Sequence, residues 1–85
     1  KPHLSQWAAT GYSTSDDFDT VFGVNAFNPN ITLLQAVSLI GDSFNSLTRH
    51  AVAGLLNAAH PDVDYPLTTA QVIALYQAAL ARSVG

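Results

Sequence analysis

The sequence predicts an all-α fold: a small helical domain in which two longer antiparallel helices carry two or three short ones. Three observations point to it. Apolar residues recur at helical spacing through 44–59 and again through 72–80. Glycine or proline follows nearly every such run, at Gly23, Gly41 and Pro61. No segment alternates apolar and polar residues as a half-buried strand would. At 85 residues the chain is long enough for one domain, 1–85.

The first piece, 1–10, places Leu4 and Trp7 three residues apart, on one side of a short helical turn. Trp7 is large enough to anchor or cover a core edge. Gly11-Tyr12-Ser13 reads as a loop. Ser15 is the expected cap of the second piece, with Asp16, Asp17 and Asp19 near the positive end of its helix. Their spacing is not that of a calcium-binding loop. Phe18, Val21 and Phe22 form its apolar stripe, and Gly23 closes it in a left-handed conformation.

Val24 to Asn30 is an Asn/Pro-rich loop with Phe27 as its inward anchor. Thr32 suits the cap of a third helix, Leu33 to Ile40, with Leu33, Leu34, Val37 and Ile40 as its buried face. A fourth helix runs from about Phe44 to Ala59, capped by Asp42 or Ser43. At 3.6 residues per turn, Phe44, Leu47, Ala51, Val52, Leu55, Ala58 and Ala59 gather on one side. Ser46, His50, Ala53 and Asn57 lie on the other. Gly54 borders the apolar stripe at a helical cost of about 1 kcal/mol relative to alanine, which a close helix crossing would offset. Pro61 ends the helix.

Thr68-Thr69-Ala70-Gln71 is a capping box for the fifth helix, with Leu67 and Val72 as its hydrophobic staple. Val72, Ile73, Leu75, Tyr76, Ala79 and Leu80 form its apolar face, and Arg82 suits its negative end. The expected core is Trp7, Phe18, Phe22, Leu34, Val37, Leu47, Ala51, Leu55, Val72, Leu75, Tyr76 and Leu80.

Composition narrows the functions. Hydrophobic residues make up 48% of the chain and charged ones 11%, against about 25% charged in an average soluble domain. The surface must then be neutral and polar, with little charge to oppose association. A net charge of −3 with three Lys+Arg offers no basic cluster for nucleic acid or for an anionic membrane surface. No apolar run approaches the roughly 20 residues of a membrane span. The chain opens at Lys1 without a methionine, as expected of a processed or excised part of a longer protein. It has neither cysteine nor methionine. Disulfides, thiolate metal sites and thiol catalysis are therefore absent, and the sulfur-free composition fits a long-lived extracellular protein. Asn30-Ile31-Thr32 is a sequence acceptable for N-glycosylation, with Asn30 as the acceptor.

The sequence has no catalytic signature. There is no glutamate, no G-x-S-x-G elbow, no H-E-x-x-H and no phosphate-binding glycine loop. No cofactor is implied. His50 and His60 are ten residues apart on one helix, about 15 Å along its axis, so they cannot share an ion. His50 is expected to be buried against a backbone carbonyl. His60 with Asp62 and Asp64 is the tightest metal-ligand candidate. The same His60-Pro61-Asp62-Val63-Asp64 run is equally a helix stop, with His60 against the last carbonyls.

Four blocks of the chain resemble a known family. Lys1-Pro2-His3-Leu4-Ser5-Gln6-Trp7 is similar to the tail of a W-K-N-H-P-x-x-W motif. Asp19-Thr20-Val21-Phe22-Gly23-Val24, Thr32-Leu33-Leu34-Gln35-Ala36 and Arg49-His50-Ala51-Val52-Ala53-Gly54-Leu55-Leu56-Asn57-Ala58-Ala59-His60-Pro61 follow in the family's order. The family is an uncharacterised helical module of secreted and cell-surface proteins of bacteria and archaea. Lys1, His3, Trp7, His50, Asn57 and His60 match its motif. Pro2 stands in place of its usual Asn and Leu4 in place of its usual Pro, and its opening Gly-x-Trp is missing from a chain that begins at Lys1. The resemblance implies extracellular or cell-surface placement and a non-catalytic role, with the matched residues as either a shared structural hydrogen-bond network or a site. Taken together, the expectation is a structural or interaction module whose partners are proteins, either further copies of itself in a filament or oligomer or neighbouring domains of its own chain. The alternative is a metal- or small-ligand-binding module using His60, Asp62 and Asp64, or His3 and His50.

Overall fold

The computed structural model describes residues 7–41 and 43–84, with side chains through residue 82. The expectations for Lys1, His3, Leu4 and Asp42 lie outside these residues. A 3-10 turn, Ala8–Thr10, is followed by α1 (Phe18–Phe22), α2 (Leu33–Val37), α3 (Ser43–Ala59) and α4 (Thr69–Val84). The described residues contain no strand, only an isolated bridge between Asp17 and Thr32. The all-α expectation therefore holds. α3 packs most extensively on α4 and next on α2. The α3–α4 pair is antiparallel: Thr48 meets Tyr76 early in α3, while Gly54, further along, faces Val72, further back in α4.

α1 starts two residues later than the sequence suggests. Its cap is Asp17, not Ser15. The Asp17 carboxylate accepts from the Thr20 N–H at 2.9 Å. Ser15 is held outside the helix because residues 14–18 pair with 31–34. Phe18 N–H donates to Ile31 C=O (2.9 Å), Leu33 N–H to Asp16 C=O (2.8 Å) and Leu34 N–H to Thr14 C=O (3.2 Å). The Gly23 stop is as expected, with φ 64° and its N–H donating to the Asp19 carbonyl. Gln77 of α4 donates to the Phe22 carbonyl (2.8 Å), which ties the end of α1 to the last helix.

α2 has a full capping box between Thr32 and Gln35, but it ends at Val37 rather than Ile40. The Ser38 and Leu39 N–H groups donate to the carbonyls three residues back, tightening the last turn. Leu39 is then held by Arg49, whose guanidinium donates to its carbonyl (2.9 Å). The result turns Ile40 outward, 82% exposed, so it is not part of the buried face.

The core consists of Trp7, Phe18, Phe22, Leu33, Ala36, Val52, Leu55, Val72 and Tyr76. Phe18 stacks on Phe22 at 4.6 Å between ring centroids, and both meet Tyr76 edge-on at 5.4 and 5.2 Å. Such contacts are favourable beyond the area they bury. Phe27 is the inward anchor of its loop, placed between Phe18 and Phe44. Leu34, Val37, Leu47, Ala51 and Leu80 pack at the core's edge, partly buried. Leu75 departs from expectation, being 57% exposed. Val72 and Tyr76 set the centre of α4's buried arc, and Leu75 lies on its flank, where no helix among the described residues covers it.

Gly54 is explained by the crossing it allows. A Cβ there would lie 3.1 Å from the Tyr65 hydroxyl and 3.6 Å from Val72 Cγ1. The 60–68 connection folds back over α3, and α4 begins where the capping box requires: Thr68 Oγ1 accepts from Gln71 N–H (3.1 Å) and Gln71 Oε1 from Thr68 N–H (2.8 Å).

Candidate functional site

The sequence singles out the histidines and the acidic turn; His3 lies outside the described residues, and among those described the structure does not gather His50, His60, Asp62 and Asp64 into a metal site. His50 is exposed on the outer side of α3, as is Asn57, so the expectation of a buried, carbonyl-bonded His50 is incorrect. The polar stripe of α3 simply faces away from the core. Trp7 is buried and His60 half-buried. Among the described residues no hydrogen bond joins Trp7, His50, Asn57 and His60 into the network that their common motif suggested.

His60 does stop the helix, but by a different contact. Its ring does not reach the last carbonyls. Instead the Asp62 N–H donates to His60 Nδ1 at 3.1 Å, and the Val63 N–H donates to the His60 carbonyl at 3.2 Å. That leaves Nδ1 occupied as an acceptor of a backbone proton. Asp62 and Asp64 are exposed. Among the described residues no three His, Cys, Asp or Glu side chains form a group able to hold a metal ion. Asn30, the glycosylation candidate, is exposed.

A buried polar cluster was not anticipated from sequence. Asp19 is only 7% exposed. Rather than serving the dipole of α1, its carboxylate reaches across the following loop, accepting from the Ala26 N–H (3.0 Å) and the Phe27 N–H (3.3 Å). Phe27 is thereby fixed against the aromatic cluster. Close by, the Thr48 and Tyr76 hydroxyls share a buried hydrogen bond at 3.0 Å. The helical spacing does contain the signal for Thr48. It stands four residues before Val52 and seven before Leu55, in the middle of α3's apolar stripe. Among the described residues no buried side-chain nitrogen or oxygen lacks a partner, so the cluster is a satisfied network.

Burial pushes the Tyr76 hydroxyl above the usual tyrosine range. The Thr48 hydrogen bond opposes this, and the charge of Asp19 adds to it. A raised folded value means that folding favours the neutral phenol. The stabilisation is complete below the ordinary value of 10.0 and is lost as pH rises from there through the folded value. Stability is therefore expected to fall above about pH 10. Tyr76→Phe should flatten that fall while losing about 1 kcal/mol at neutral pH from the Thr48 partnership. Denaturant melts of both proteins between neutral and strongly alkaline pH check this; an unchanged alkaline slope in the variant contradicts it.

The remaining feature is a surface. On the outward side of α4, Ala70, Gln71, Ala74, Leu75, Ala78 and Ala81 are exposed. Leu67, Gln71, Ala74 and Leu75 line a shallow open groove there. Arg82, in the last turn, is the only charged residue of the helix. The face has no chemically reactive group. What it offers is a small-residue surface that another backbone can approach closely, with one protruding leucine. No helix among the described residues is long and apolar enough to cross a membrane. Compared with family models, with characterised proteins and with solved structures, the chain matches none.

Proposed function

We propose that this chain is a non-catalytic structural module of an extracellular or cell-surface protein, and that it acts by associating with further copies of itself through the outward face of α4. The observation that carries the reading is Leu75, 57% exposed in the middle of an alanine-lined helix face with one charge at its end. Exposed apolar residues scattered singly mean little. A leucine beside a groove formed by Leu67, Gln71 and Ala74 is a contact in waiting. The charged fraction of 11% supplies little repulsion to keep copies apart. The sulfur-free composition and the resemblance to modules of secreted and cell-surface proteins support the placement.

An association of this kind buries Ala, Gln and Leu side chains rather than ion pairs. Raising salt is then expected to leave it unweakened, since screening acts on exposed charge. A charge placed on the face is expected to disrupt it, as in Ala74→Lys or Ala81→Asp, because that charge would have to be buried without a partner. Light scattering over protein and salt concentration tests both. A protein that stays monomeric at high concentration in every condition overturns the self-association reading.

A further inference from the structure

We propose that Asn30 is the acceptor of an N-linked glycan, an inference that rests on the extracellular or cell-surface placement given above. Asn28, Pro29 and Asn30 are three consecutive exposed residues at the end of the 24–30 loop. Among the described residues the Asn30 side chain makes no hydrogen bond, so its amide nitrogen is unencumbered. The two residues that follow hold the acceptor in place. The Ile31 carbonyl accepts from Phe18 N–H at 2.9 Å. Thr32 is extended, φ −84° and ψ 166°, and its N–H donates to Gln35 Oε1 at 2.9 Å.

Thr32 also caps α2, with its Oγ1 accepting from Gln35 N–H at 3.1 Å. Capping alone accounts for a threonine here, but Asp or Asn would serve as well, and either would end the acceptor sequence. Capping also gives no reason for Asn30. The cap uses Oγ1 only as an acceptor, which leaves the hydroxyl proton available to an enzyme reading the second position after the asparagine. Asn30 itself is exposed in the folded chain, while Ile31 and Thr32 are half-buried. A glycan would also give this weakly charged surface a hydrated polar group.

The donor is an oligosaccharide activated as a lipid-linked phosphate or pyrophosphate ester. The bond from Asn30 Nδ2 to the anomeric carbon forms as the bond from that carbon to the phosphate oxygen breaks. The phosphate leaves with the electron pair, and Nδ2 loses one of its two protons to a base of the transferase. No oxidant or reductant is involved.

The test is peptide mass spectrometry on the protein purified from the organism that makes it, together with its location by cell fractionation. The tryptic peptide ending at Arg49 is expected to carry a carbohydrate mass on Asn30. In the same host, Asn30→Gln should abolish the modification and leave the melting temperature of the polypeptide intact. Thr32→Ser should keep both glycan and cap, while Thr32→Ala should lose the glycan and lower the melting temperature. An unmodified Asn30 in protein found outside the cell overturns the glycan alone. An unmodified Asn30 in protein found inside the cell overturns the placement as well. A carbohydrate mass that persists in Asn30→Gln also overturns the assignment.

Discussion

Leu55→Ala is expected to lower the unfolding free energy by about 2–5 kcal/mol. Leu55 is fully buried in α3, one residue from Gly54, where a Cβ would lie 3.6 Å from Val72 Cγ1 of α4. The substitution removes the transfer energy of the lost carbons and leaves a cavity. The neighbours cannot collapse freely into it, because Gly54 already brings the Tyr65 hydroxyl and Val72 close to the α3 backbone. Interiors are packed too densely for such a void to be neutral. Denaturant melts of both proteins measure the loss. A change below about 1 kcal/mol, well under the usual range for such a deletion, would mean that another face of α3 points inward.

Asp19→Ala is the second large effect. The carboxylate accepts two backbone protons from a loop with no regular structure of its own. Hydrogen bonds to a charged acceptor contribute about 1.5–3 kcal/mol each. Some of that returns when water reaches the freed N–H groups, so a net loss of about 2–4 kcal/mol is expected. The loss should be local as well as global. Amide exchange at Ala26 and Phe27 should accelerate more than exchange in α3, because Phe27 is no longer held between Phe18 and Phe44. Asp19→Asn keeps one carbonyl acceptor and should fall between the two. A variant within about 0.5 kcal/mol of the parent, the range of ordinary surface substitutions, would contradict the tether.

The elements that sequence anticipated are those set by local chemistry. The Thr68–Gln71 box, the Gly23 stop and the Pro61 stop each act within a few residues, and each occurs where the pattern places it. The errors come from contacts distant in sequence. Ser15 fails as a cap because its segment pairs with residues 31–34. Ile40 leaves the buried face because α2 ends at Val37, and Arg49, nine positions further on, holds the turn that follows. Leu75 satisfies the helical period yet stays exposed, since periodicity does not say how wide an arc the neighbouring helix covers. Asp19 looked like a dipole residue because its partners, Ala26 and Phe27, donate backbone protons that no side-chain pattern encodes. His60 was recognisable as part of a helix stop, but not the direction of its ring. The outward face of α4 was legible as small residues; the exposure of Leu75 within it was not.

The central claim, that copies meet through this face, is tested most directly by cross-linking. The chain has no cysteine, so single cysteines can be introduced at Ala74 or Ala78 on the exposed side of α4, and at Asn57 on the exposed side of α3 as a control. Copies that meet through α4 should oxidise to covalent dimers at position 74 or 78 in a dilute, mildly oxidising solution, and the Asn57 variant should remain monomeric. Equal cross-linking at all three positions, or none at 74 and 78, would contradict the claim.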